Sequence, residues 1–239
     1  PADHRTEYTH NAYGDVLSVT DPMSAVTTNT YDDNRNLITV ENPNLNLTTY
    51  HYDAEDQLVE VERPDSTTIG TEYFDDGQIE AQIDGAGART EYTYDDLGRP
   101  ATVTDPLNNT TTMFYDLVGN LVATQQPGGN CAASPKVGCI TRGYDQANQL
   151  TTVTYSDGST PNITDVAYDD NGRRTQVNYG TAQTSTWSYD SLGRLTASND
   201  ATPVSYGYDL AGNVTSVVYP GSRTLTRGYD DAGRFTTST

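Results

Sequence analysis

Carboxylates supply most of the side chains in this sequence that could do chemistry. They stand in adjacent pairs at Asp32-Asp33, Asp75-Asp76, Asp95-Asp96, Asp169-Asp170 and Asp230-Asp231. Paired carboxylates can bind calcium or cleave a glycosidic bond. A calcium loop needs its oxygens at alternate positions ahead of a glycine. Asp169-Asp170-Asn171-Gly172, the nearest approach, does not alternate. A glycosidase builds its pair once, whereas these pairs recur along the chain, so they are expected to be turn residues on a solvated edge. Cys131 and Cys139 are the two cysteines, and His4, His10 and His51 lie far from them in sequence. A zinc site needs four ligands, so no metal is expected there. Nucleophile elbows and phosphate loops are absent, and Gly85-Ala86-Gly87-Ala88 falls where a turn is due. The reading is of a chain with no catalytic residue, no metal and no cofactor.

Charge narrows the partners. Thirteen Lys and Arg against thirty-three Asp and Glu leave a net charge of −20. Nucleic-acid affinity rests on clustered cations that neutralise phosphates, and anionic lipid surfaces repel such a chain. No stretch approaches the roughly 18 apolar residues that span a bilayer. Nucleic-acid binding and membrane insertion are therefore not expected. Only 34% of residues are hydrophobic, while Tyr supplies 18 residues against 3 Phe and 1 Trp. Tyr and Thr suit a pleated, half-wet surface, which points to thin β structure without a thick core.

The elements that position these residues repeat. A Tyr-Asp-x-x-Gly signature recurs on Tyr31, Tyr52, Tyr73, Tyr94, Tyr115, Tyr144, Tyr168, Tyr189, Tyr208 and Tyr229, and His10 fills the slot in a degenerate first copy. Most intervals are 21 residues, the exceptions being 29, 24 and 19 after Tyr115, Tyr144 and Tyr189. Four places after the aromatic stand Gly14, Gly77, Gly98, Gly119, Gly172, Gly193, Gly212 and Gly233, replaced elsewhere by Arg35, Asp56 and Asn148. Six places after it an apolar residue recurs, as at Leu37 and Leu58, and three further on a Val, as at Val40 and Val61.

Each column has a physical task. Tyr92 and Tyr94 alternate along a strand and share one face. Asp95 opens a turn, its carboxylate accepting backbone N–H bonds, and Gly98 supplies the positive φ of a short hairpin loop. Asn148 tolerates that conformation, whereas Arg35 and Asp56 are expected either to bear strain or to use another loop. Arg99 to Thr104 forms the return strand, and Asp105-Pro106-Leu107-Asn108 the second turn. The Leu and Val columns lie an odd number of residues apart, so they share a face only if a bulge intervenes. Two strands and two turns consume about 21 residues, one hairpin per repeat.

The expected fold is all-β, a tandem array of antiparallel β-hairpins with no helices. It is expected as a single array over residues 1–239, about eleven hairpins, with an inserted loop near 126–141 marked by Pro127-Gly128-Gly129 and Pro135. Two cysteines in one insert suggest a local disulfide between Cys131 and Cys139, with two free thiols as the alternative. A lone hairpin is barely stable, so each must lean on its neighbours. Open strand edges make edge-to-edge self-association an expectation. The array opens on Pro1-Ala2-Asp3-His4 and stops within a copy, and is expected to be a piece of something longer.

Runs such as Tyr94-Asp95-Asp96-Leu97-Gly98-Arg99 and Tyr189-Asp190-Ser191-Leu192-Gly193-Arg194-Leu195 resemble the RHS/YD-repeat family of bacterial RHS and Tc toxin shells, wall-associated proteins and teneurins. The resemblance covers essentially the whole chain. It implies a twisted β-ribbon that forms an open arc of a hollow shell, in a secreted or cell-surface protein. It also implies partners, namely further repeats and a C-terminal toxin domain of a parent protein. The family's self-cleaving aspartate motif has no match, since Asp21-Pro22-Met23-Ser24 and Asp105-Pro106-Leu107-Asn108 lack its glycine. The competing expectation is a carbohydrate-binding or adhesion surface in which Trp187 and Tyr206 stack on sugar faces.

Overall fold

The computed structural model describes residues 5–200 and 202–239, so His4 lies outside the described residues. The fold is all-β and open, with twenty-two strands and one three-residue 3-10 turn, Pro220–Ser222, among the described residues. It divides into two compact units, Pro1–Thr112 and Met113–Thr239.

The first unit contains β1 (Glu7–His10), β2 (Val16–Thr20), β3 (Val26–Tyr31), β4 (Leu37–Glu41), β5 (Leu47–Tyr52), β6 (Leu58–Glu62), β7 (Thr68–Tyr73), β8 (Ile79–Ile83), β9 (Arg89–Tyr94) and β10 (Pro100–Thr104). The unit boundary falls within β11 (Thr110–Tyr115). The second unit continues with β12 (Leu121–Asn130), β13 (Val137–Tyr144), β14 (Leu150–Tyr155), β15 (Ile163–Tyr168), β16 (Arg174–Tyr179), β17 (Thr184–Tyr189), β18 (Leu195–Asn199), β19 (Val204–Tyr208), β20 (Val214–Tyr219), β21 (Arg223–Tyr229) and β22 (Phe235–Ser238). Within each unit, strands pair antiparallel with their neighbours in chain order.

Register explains the odd spacing of the apolar columns. Leu37 lies opposite Tyr31, and Val40 opposite Asn29. Tyr31 and Asn29 are two apart and share a face, so Leu37 and Val40 share it too. Ile38 is the extra residue of a bulge between the Tyr31–Leu37 and Thr30–Thr39 pairs. The same step recurs beside Tyr52, Tyr73, Tyr94, Tyr144, Tyr168, Tyr189, Tyr208 and Tyr229. The tyrosine face therefore sets an aliphatic residue opposite most of the motif rings, with Pro100, Arg174 and Phe235 in that place beside Tyr94, Tyr168 and Tyr229. The opposite face carries hydroxyl pairs such as Thr93–Thr102 at 2.6 Å and Thr9–Ser18 at 2.6 Å.

The core is correspondingly thin. Ala81, Cys139, Val153, Val166, Val177 and Val217 are the buried apolar residues among those described, joined by Ser185. Val166 and Val177 lie directly opposite one another, which is how a ribbon one sheet thick hides side chains.

The second turn is built like the first. Asp105 accepts from the N–H groups of Leu107 and Asn109, both at 2.9 Å, and its carbonyl accepts from Asn108 N–H at 2.9 Å. The residue at the fourth place must then adopt positive φ, and at Ser24, Leu45, Ser66 and Asn108 no glycine supplies it. Leu45, at φ 61°, bears that conformation with a side chain 78% exposed, so its ring of contacts offsets little of the cost. Leu45→Gly is expected to stabilise the first unit by about 1 kcal/mol. Urea unfolding checks it, and a lowered midpoint would show that the Leu45 side chain matters more than its backbone.

The insert corrects the expectation of a loop over 126–141. It lengthens two strands instead, β12 to 10 residues and β13 to 8, and the turn is confined to residues 131–136.

Candidate functional site

The recurring chemistry of this chain is a lattice of turn carboxylates and tyrosine hydroxyls. In each Tyr-Asp turn the Asp side chain caps the loop. Asp95 Oδ1 accepts from Leu97 N–H and Arg99 N–H, both at 3.0 Å, while Gly98 N–H donates to the Asp95 carbonyl at 2.9 Å. Gly98 takes φ 74°, and all eight motif glycines have φ between 74° and 99°. Arg35 and Asp56 accept the same loop, at φ 73° and 62°. Each gains a neighbour in return. The Arg35 guanidinium pairs with Asp15 of the preceding turn, and Asp56 Oδ1 accepts from Asn34 at 2.8 Å and Asn36 at 2.6 Å.

The tyrosines act between hairpins. Tyr31 donates its phenol to the Val16 carbonyl at 3.0 Å, Tyr52 to Leu37 at 3.1 Å, Tyr73 to Leu58 at 3.1 Å and Tyr94 to Ile79 at 3.0 Å. In the second unit Tyr144 reaches Leu121 at 3.1 Å, Tyr168 Leu150 at 2.8 Å, Tyr189 Arg174 at 3.0 Å, Tyr208 Leu195 at 2.7 Å and Tyr229 Val214 at 3.1 Å. The acceptor is always the residue six places after the aromatic of the preceding repeat. It stays so when the sequence separation grows to 23 or shrinks to 13. Every one of these rings is half-buried. The phenol thus supplies each of these carbonyls with a donor, which Phe in the same slot could not do. Burial, with the Asp32 charge nearby, pushes the Tyr52 phenol above its usual range.

A third column joins turn to turn. The residue five places after the aromatic is Arg in Arg99, Arg173, Arg194 and Arg234, and each pairs with the Asp that opens its own turn, at 2.6 to 2.8 Å. Arg173 also lies 4.6 Å from the Tyr189 ring centroid and Arg194 4.5 Å from that of Tyr208. Where the column holds Gln78, its amide donates to the Gly98 carbonyl of the next turn at 2.9 Å. A Cβ added at Gly98 would meet that amide at 3.1 Å, so glycine there serves close approach as well as conformation. Arg99 holds the Asp95 carboxyl below the usual carboxylate range, as Arg173 does for Asp169. The Arg194 and Arg234 backbone N–H groups do most for Asp190 and Asp230. Hydrogen bonds led by the Thr160 hydroxyl bring Asp157 to about 2.

The carboxylate pairs are thus distributed along turns, and among the described residues no group of three His, Cys, Asp or Glu side chains is arranged to hold a metal. Trp187 is half-buried with the Arg174 guanidinium 4.4 Å from its ring centroid. Tyr206, also half-buried, lies opposite Val217 on the neighbouring strand. Cys131 and Cys139 are brought together with Cα atoms 5.3 Å apart and their sulfurs bonded.

Comparison with known proteins follows the same columns. No curated protein sequence matches the chain. A teneurin YD-shell family model matches residues 136–238, and an RHS repeat model matches residues 73–110 and 96–130. The fold superposes on a crystal structure of TcdB2-TccC3 with a TM-score of 0.77 and 17% identity, covering 98% of this chain and 14% of that one. A crystal structure of TcdB2-TccC3-Cdc42 gives 0.76 and 16%, with the same coverage. The chain therefore spans about 14% of the length of the structures it matches, and at this identity the likeness is one of fold. The two matched stretches, residues 73–130 and 136–238, contain most of the Tyr-Asp turns, and over them the chain is similar to the RHS/YD-repeat family.

Proposed function

We propose that this chain is a non-catalytic structural module, a stretch of β-shell wall in a larger secreted or cell-surface bacterial protein that encloses a C-terminal domain. The observation that carries the proposal is the phenol-to-carbonyl staple, repeated nine times among the described residues. It spends the chain's most frequent aromatic on joining hairpins, and among the described residues the His, Cys, Asp and Glu side chains form no metal-holding cluster. Further repeats of the parent protein are the natural partners. The reading is tested by cryo-electron microscopy of the parent polypeptide together with limited proteolysis. A hollow shell whose interior segment resists protease until the wall is denatured is expected. An extended rod, or an interior segment digested at once, would refute it.

The alternative is a carbohydrate-binding surface at Trp187 and Tyr206. Sugar stacking needs an open aromatic face, and Arg174 already covers one face of Trp187. The scaffold reading is therefore the stronger. A glycan array on the wild-type chain and Trp187→Ala separates the two, since only the sugar reading predicts tight binding that the substitution abolishes.

A further inference from the structure

The β12–β13 hairpin departs from every other hairpin of the array. Its inner ladder pairs Ala123, Thr124 and Gln125 with Thr141, Ile140 and Cys139, and the next paired rung is Asn130 with Val137. Between these rungs, residues 126–129 on β12 face Gly138 alone on β13. The two backbones nearly touch there, since a Cβ on Gly129 would lie 2.7 Å from the Gly138 carbonyl oxygen. The outer rung and the turn beyond it are therefore fastened across an irregular stretch of ladder.

The two cysteines stand on opposite sides of that stretch. Cys139 belongs to the body of the sheet. Its N–H donates to Ser156 Oγ at 2.7 Å, its carbonyl accepts from Ser156 N–H at 3.0 Å, and it is 3% exposed. Cys131 belongs to the turn and is half-exposed. The sulfur–sulfur bond is thus the one covalent tie across the irregular stretch.

We propose that Cys131–Cys139 is a redox latch. Oxidised, it clasps residues 126–138 against the sheet; reduced by a dithiol, it releases them as a mobile strap while the hairpins on either side stay folded. The reductant's thiolate attacks the sulfur of Cys131, the less buried of the two residues, the sulfur–sulfur bond breaks, and Cys139 leaves as a thiolate that takes up a proton. The reductant's second thiol then displaces Cys131 from the mixed disulfide. Two electrons pass to the protein, which gains two thiols, and the reductant becomes a disulfide. The inference is independent of the shell reading.

Lys136, the single lysine of the chain, lies within the strap, so a lysine-specific endoprotease reports on it alone. Closing a loop of 8 residues restrains the open strap by roughly seventyfold at most in the chain-entropy model. Dithiothreitol is expected to speed cleavage after Lys136 at least about tenfold. The Cys131→Ser/Cys139→Ser variant should be cut at the fast rate with or without it. Thermal unfolding followed by circular dichroism should show one unchanged main transition throughout. Equal cleavage rates in the two redox states would overturn the proposal. So would two titratable thiols in the air-oxidised protein, or a reduced chain that unfolds as a whole.

Discussion

Tyr94→Ala is expected to destabilise the array by about 2–4 kcal/mol, and Tyr94→Phe by about 1 kcal/mol. The first figure combines the loss of a half-buried ring, which also meets the Phe74 ring edge-on at 6.3 Å between centroids, with the loss of its hydroxyl. The second isolates the hydroxyl, whose removal leaves the Ile79 carbonyl without its phenol donor. The difference between the variants therefore measures packing, and the Phe value measures the staple. Urea unfolding of both, together with hydrogen exchange at the β8 and β9 amides, checks the claim. A Phe variant as stable as wild type would mean that the hydroxyl adds nothing and that the recurrence of Tyr has another cause. Because each hairpin depends on its neighbour, exchange should quicken most at β7–β10 and little in distant hairpins.

Acid should dismantle the turns. Hydrogen bonds or ion pairs hold Asp84, Asp95, Asp105, Asp169, Asp190, Asp209 and Asp230 below their ordinary value of 3.8. A carboxyl whose folded pKa is lowered stabilises the fold fully above its unfolded pKa, and that contribution disappears as pH falls through the folded value. Unfolding is therefore expected to begin below about pH 4 and to advance as pH falls through the lowered folded values, Asp157 titrating last at about 2. A diffuse effect opposes this. Protonation relieves the repulsion among thirty-three acids that face only thirteen bases. That repulsion is screened over about 8 Å at physiological salt, whereas the turn oxygens bind their donors at 2.7 to 3.0 Å, so the local loss wins. Circular dichroism against pH decides the matter, and a chain fully folded at pH 2 would sink it. Asp95→Asn keeps an oxygen for the backbone but surrenders the Arg99 ion pair, while Asp95→Ala loses both. Ala should therefore raise the acid midpoint more than Asn.

Much of this arrangement was legible in residue spacing. The 21-residue period, the Tyr-Asp-x-x-Gly turn and the need for a bulge between the Leu and Val columns follow from strand alternation and from the φ requirement at Gly98. The bulge residue itself, Ile38 in the second hairpin, was not readable, because an extra residue has no composition of its own. Nor was the strain at Leu45 and Ser66, since the Asn42-Pro43 and Arg63-Pro64 steps announce a turn without revealing that its fourth residue must turn left-handed. The tyrosine staple was hidden for a different reason. A phenol's partner there is a main-chain carbonyl, and every residue type has one. The +5 column carried a visible signal, since every copy after the first holds Asn, Gln or Arg there, donors able to reach an adjacent loop, and the first holds Asp15, which accepts from Arg35. The insert was misjudged as a loop because Pro127, Gly128 and Gly129 are turn formers by habit, yet here they permit two backbones to run side by side.

Tyr144 still finds the Leu121 carbonyl although an extra stretch of chain has been threaded between them. The joint thus answers to order along the ribbon and is indifferent to contour length. Lineages built on such joints can graft a new protrusion onto any hairpin by a single insertion event, without retuning adjacent units. Diversity in molecules of this kind should therefore accumulate as ornaments of unequal size hung from an unchanging weave.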